Sequence, residues 1–77
     1  ARLTITLEAD GRIFLGDEAI ELPALGKVLR EAHAENPDLG LNLRANRETP
    51  YREVRAVLKR SSEAGISDVI YATHQLD

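Results

Sequence analysis

Apolar and polar residues alternate without interruption from Arg2 to Glu8: Leu3, Ile5 and Leu7 fall on one side, Thr4, Thr6 and Glu8 on the other. That period of two predicts a half-buried strand with one wet face. Asp10-Gly11 is a tight-turn dipeptide, and Arg12 to Leu15 is placed to return as its hairpin partner. Gly16-Asp17 marks a second turn. Ala19 to Glu21 reads either as a short strand or as the approach to a helix. From Leu22 to Asn36 the period changes: Leu22, Leu25, Leu29 and Ala32 recur at three and four, with Val28 beside them, which predicts an amphipathic helix. Pro23 is tolerated in its first turn, where amide protons have no internal partner. Asn36-Pro37 ends it, and Asp38 to Gly40 form a loop.

Alternation returns from Leu39 to Ala45, with Leu41, Leu43 and Ala45 inward and Asn42, Arg44 and Asn46 outward. Thr49 is the expected N-cap and Pro50 the expected first residue of a second helix. Its stripe is Tyr51, Val54, Val57, Leu58 and Ser61, and Ala64-Gly65 is its stop signal. A last strand is expected from Ile66 to Thr73, with Val69, Tyr71 and Thr73 inside and Ile70, Ala72 and His74 on the other face. The order is β-β-α-β-α-β. The strand–helix–strand unit from Leu41 to Thr73 should be parallel with a right-handed crossover. A sheet covered on both faces would show unbroken apolar runs. These strands have a polar second face, so both helices are expected on one face of a mixed sheet, in an α+β two-layer sandwich.

Seventy-seven residues suffice for one small domain. Such a chain buries about 60–65% of its unfolded surface, which leaves little room for a cofactor-sized cavity. A formal charge of −3 argues against bulk attraction to nucleic acid or anionic lipid. Cysteine is absent, which excludes disulfides and thiolate metal sites. Methionine is absent too, and a piece of a longer protein is the expectation. The longest purely apolar run, Val69 to Ala72, falls far short of the about 20 residues of a membrane helix. Any membrane anchor is therefore expected outside this sequence.

Candidate chemistry is sparse. His33 and His74 have no carboxylate or histidine at metal-ligand spacing. Ser61, Ser62 and Ser67 surround a helix end without a nucleophile elbow, and no phosphate loop or dinucleotide fingerprint occurs. Glu8 and Asp10 read as turn chemistry. No catalytic residue, metal or cofactor is expected. The polar residues Asn46 to Thr49 read first as the short loop that a strand-to-helix junction needs. The alternative is an anion contact near the helix N-terminus, assisted by Arg44 and Arg47; Arg52 and Arg55 read as solvated. Ile70 stands on the wet face of the last strand. It is either an ordinary exposed apolar residue or part of a partner surface. At a sheet edge, that strand would also offer backbone groups for strand addition.

Across nearly the whole chain, the segments LTITLEADGRIFLGDEAI, LPALGKVLREA and LNLRANRETPYREVRAVLKRSSEAGISDVIYAT resemble the periplasmic domain of the ExbD/TolR family of biopolymer transport proteins. That family has a strand ending in Arg-Ala-Asp, a few polar residues, a Tyr, a helix, an Ala-Gly, and a strand ending in a small residue or Thr. Arg44, Ala45, Tyr51, Val54, Ala64, Gly65, Val69 and Thr73 fit those places. Asn46 stands where the family has aspartate. It keeps the size and turn-forming shape without the charge, so a role needing a carboxylate does not carry over.

The resemblance implies that residues 1–77 are a single periplasmic domain of a single-pass bacterial inner-membrane protein. The transmembrane helix, with its proton-linked aspartate, would lie outside this sequence. It implies a non-catalytic part in a proton-motive-force-driven complex supporting transport of biopolymers or nutrients across the outer membrane. Implied partners are an ExbB/TolQ-like membrane protein, a TonB/TolA-like protein and a second copy in a homodimer; nucleic acid is not among them. Some family members bind peptidoglycan. The expected partner strand is Val69, Ile70, Tyr71, Ala72 and Thr73, and the family-motif loop residues are Arg44, Asn46 and Tyr51. A cell-wall anchor of the Tol-like branch is the alternative, with Asn42, Arg44 and Thr6 contacting peptidoglycan on the open sheet face. A passive spacer is the third reading. TonB-like, Tol-like and motility-related branches are all compatible.

Overall fold

The computed structural model describes residues 1–74, with His74 described by its backbone alone, so the face expected for the His74 side chain lies outside the described residues. The chain runs β1 (Arg2–Leu7), β2 (Ile13–Leu15), β3 (Glu18–Ile20), α1 (Leu22–Glu35), β4 (Gly40–Asn46), α2 (Tyr51–Glu63) and β5 (Val69–His74). The strands form one mixed sheet in the order β3-β2-β1-β4-β5. The β1–β2 and β2–β3 pairs are antiparallel; β1–β4 and β4–β5 are parallel. The α+β architecture is the one the alternation predicts. The order gains one strand: the segment Ala19 to Glu21, open between strand and helix approach in the sequence, is strand over Glu18–Ile20, which pairs with β2. The two-residue Gly16-Asp17 connection is short enough to fold it straight back.

In-register pairing puts Leu3, Ile5 and Leu7 beside Leu41, Leu43 and Ala45 on one face. Ile5, Leu7, Leu41 and Leu43 are fully buried there, in one core with Leu25 and Leu29 of α1 and Val54 and Val57 of α2. Both helices therefore cover the same face. Thr4, Thr6, Asn42 and Arg44 take the opposite face, which no helix covers among the described residues. Burying one such aliphatic side chain contributes roughly 1.5–3 kcal/mol. A one-residue slip of register would turn the whole row to water.

The helix ends explain several boundaries. α2 stops in a Schellman arrangement. The Ile66 amide donates to the Ser61 carbonyl at 3.1 Å and the Gly65 amide to Ser62 at 3.0 Å, with Gly65 at φ +90°. That closure drives Ile66 into the core at 3% exposure. Ile66 is thus loop rather than strand, and β5 begins at Val69, not at the expected Ile66. At the other end of α2, Pro50 is the N-cap at ψ 139°, not the first helical residue, and Thr49 is not the cap. Asn46 organises this turn instead: its Oδ1 accepts from the Glu48 amide and its carbonyl from the Thr49 amide, each at 2.9 Å. The Thr49 hydroxyl is left buried, with no hydrogen-bond partner among the described residues. The other hairpin end is tied by Asp10, which accepts from the Arg12 amide at 3.0 Å and from its guanidinium at 2.8 Å. The amide bond first, then the guanidinium, holds the Asp10 carboxyl below its ordinary pKa.

A polar clasp locks the parallel strands. Arg2 crosses the open face above Gly40, donating to Asn42 Oδ1 at 2.9 Å, to Asp68 Oδ2 at 2.8 Å and to the Leu41 carbonyl at 3.0 Å. A Cβ on Gly40 would collide with the Arg2 guanidinium and meet the Asp68 carboxylate at 2.8 Å. Glycine at position 40 thus lets one side chain of β1 tie β4 to the entry of β5. Gly40→Ala should cost about 1–2 kcal/mol by expelling the guanidinium, since three partly exposed bonds are lost. In an Arg2→Ala background the same substitution should be close to neutral. Urea unfolding of the four proteins checks this double-mutant cycle; an equal cost in both backgrounds would contradict the clasp.

Candidate interaction surface

The hydrogen-bond phase of β4 defines the outer edge. The Gly40 amide donates to Ala1 on the β1 side at 3.0 Å, and the Leu41 amide donates to Asp68 on the β5 side at 2.8 Å. In a parallel ladder this phase aims the backbone groups of Ile70 and Ala72 at β4, and those of Val69, Tyr71 and Thr73 outward. No described strand pairs with that outer side. Natural edges are usually blunted by lysine, proline or a bulge. From Val69 to Thr73, β5 carries no charged residue and no proline.

Its side chains are exposed on both faces. Ile70 lies beside Asn42 on the open face and is 56% exposed; Tyr71 lies beside Leu43 on the helix side and is 43% exposed. Ala72 and Thr73 are exposed as well, and Val69 is half-buried. Tyr71 was expected inside. Its alternation is correct and its registered neighbour Leu43 is fully buried, but on the outermost strand Tyr71 itself stays largely uncovered. Apolar surface therefore wraps around the edge rather than lying on one face.

The open face carries a row across the sheet: Ala19, Phe14, Thr6, Arg44 and Ala72, each registered against the next. Arg44 stands in it exposed, with no hydrogen bond or ion pair among the described residues. Of the other residues expected to contact glycan, Thr6 is Arg44's registered neighbour, and Asn42 is already engaged by Arg2. In the family-motif loop, Asn46 is committed to its turn, and Tyr51 opens α2 at 62% exposure without entering the core. The structure brings Arg44 and Thr6 together and leaves Tyr51 on a separate helix end. Phe14 was missed by sequence reasoning, although alternation with inward Ile13 and Leu15 could have placed it. It lies on the open face with the Arg12 guanidinium 5.6 Å from its ring centre. Among the described residues no His, Asp or Glu cluster has the arrangement of a metal site, and no helix is long and apolar enough to cross a membrane.

Comparison with known proteins gives this surface its context. The family model for the biopolymer transport protein ExbD/TolR matches residues 1–76. Proteins named biopolymer transport protein exbD1, from two strains of Xanthomonas campestris pv. campestris, are each 33% identical to this chain over 69 residues. Those matches cover 90% of the chain and 49% of each relative, so the chain spans about half the length of the curated relatives it matches. With its fold, its edge strand and this match over almost every residue, the chain belongs to the ExbD/TolR family of biopolymer transport proteins.

Proposed function

We propose that this chain is a non-catalytic periplasmic interaction domain of a proton-motive-force-driven, ExbD-like energy-transducing complex. It acts by pairing its β5 edge with a second copy. The carrying observation is the unprotected edge: outward backbone groups at Val69, Tyr71 and Thr73, flanked by the exposed Ile70 and Tyr71 side chains. An interface between two copies related by a two-fold axis uses the same patch on both. Two β5 strands so related run antiparallel and join the sheets end to end. Backbone bonds supply affinity and the alternate side chains supply selection. A membrane-anchored partner of the ExbB/TolQ kind and a TonB/TolA-like client complete the reading. Family membership supports that part of the reading, and a dimeric platform of this form suits a complex that transmits motion across the periplasm.

Tyr71→Pro removes an outward amide without touching the β4 ladder, and Ile70→Lys places a charge beside the edge. Sedimentation analysis should show self-association weakened about tenfold or more by either change, with folding intact by circular dichroism. An unchanged dimer in both folded variants would exclude β5 as the pairing strand.

A second reading has its own observation. Arg44 is a cation on the open face with no ion pair among the described residues, and carboxylates of peptidoglycan stem peptides are suitable acceptors for a guanidinium. The domain would then anchor to the cell wall. In a pull-down with purified sacculi, Arg44→Ala should reduce retention several-fold while Ile70→Lys leaves it unchanged; failure of the unsubstituted chain to sediment with sacculi would eliminate this role.

A further inference from the structure

The two edges of the sheet are chemically unlike. From Val69 to Thr73, β5 is uncharged, whereas β3 carries Glu18 and is flanked by Asp17 and Glu21. Beside β3 a groove of about 490 Å³ runs toward the start of α2. Ile13, Ile20, Leu22 and Ala56 give it an apolar lining, and Glu21 and Glu53 stand in its wall. A second hollow of about 340 Å³ shares Ala19 and Ile20 and reaches Val28, with Glu18 in its wall.

Neither Glu21 nor Glu53 has a side-chain hydrogen bond or ion pair among the described residues. The one cation lining the groove, Arg12, is committed to Asp10 at 2.8 Å and to the face of Phe14. Glu21 is the N-cap residue of α1 and Glu53 lies in the first turn of α2. Helix dipoles favour negative charge at both places, yet they leave the carboxylates open to an incoming cation.

We propose that the β3 edge and its groove receive an extended polypeptide segment bearing lysine or arginine side chains. Apolar side chains of the segment cover Ile13, Ile20, Leu22 and Ala56, and its cations meet Glu21 and Glu53. A second copy is a poor occupant, because its own β3 edge brings the same acidic residues and repels. The segment binds at the edge opposite β5, so this inference stands apart from the self-pairing reading.

The test uses the 77-residue chain with a capped octapeptide of alternating lysine and valine, and an alternating glutamate–valine octapeptide as control. Nuclear magnetic resonance titration should move the amides of Ile13, Ala19, Ile20 and Ala56 with the lysine peptide and not with the glutamate peptide. Combined Glu21→Gln and Glu53→Gln should weaken binding roughly tenfold at low salt. Glu31→Gln, elsewhere on α1, should not. If the double variant loses its dispersed spectrum, Glu53→Gln alone should weaken binding roughly threefold. Absence of binding, equal binding of the glutamate peptide, shifts centred on β5, or unaltered affinity in the folded variants would each overturn the proposal.

Discussion

Everything in this fold hangs on β4, which is paired in parallel on both sides and is apolar on only one face. Leu41, Leu43 and Ala45 are buried while Arg44, between them, is exposed. A strand with one apolar face can hold one helical layer. The chain is also too short to build a second core. The consequence, among the described residues, is a sheet with helices on one side, a bare polar side, and two edges that no strand pairs. None of those features is independent of the others: the bare face and the edges are what remain once the apolar row of β4 has been covered.

The bare parts are unequal in chemistry, which gives the small domain more than one way to make contact. The β5 edge has apolar side chains on both faces and no charge to deter a second strand. The β3 edge is short and acidic, and a groove lies beside it. Between them, Arg44 occupies the polar face with no hydrogen bond or ion pair among the described residues. Arg2 holds the β5 entry in place through Gly40 and Asp68, so the edge is presented at a fixed height against β4. These surfaces are what the proposed binding role in a biopolymer transport family draws on.

The strongly patterned elements were legible in the sequence. Both helices, β1 and β4 follow directly from their periods, and the bare face follows from Thr4, Thr6, Asn42 and Arg44. The unread parts share a physical cause: they depend on tertiary register. Glu18–Ile20 is too short to show a period and is a strand only because a two-residue turn returns it onto β2. Thr49 and Pro50 satisfy a helix-start pattern, but the Asn46 turn displaces them by one position. Tyr71 alternates correctly, yet whether an inward position is covered depends on where the core ends. The Arg2–Gly40–Asp68 clasp spans most of the chain and exists only because β1 and β5 flank β4 in parallel. Of the candidate site, the apolar strand was visible; the outward phase of its amides and the lack of a partner for Arg44 among the described residues required coordinates.

The central claim is that β4 is an interior strand and β5 an edge. Residue-resolved amide hydrogen exchange in dilute solution tests it most directly. Unbroken protection is predicted along β4, because its amides alternate between β1 and β5. In β5 a period of two is predicted, with Ile70 and Ala72 slow and Tyr71 and Thr73 fast. Alternating protection within β4, or uniformly slow exchange through β5 in the monomer, would contradict this architecture.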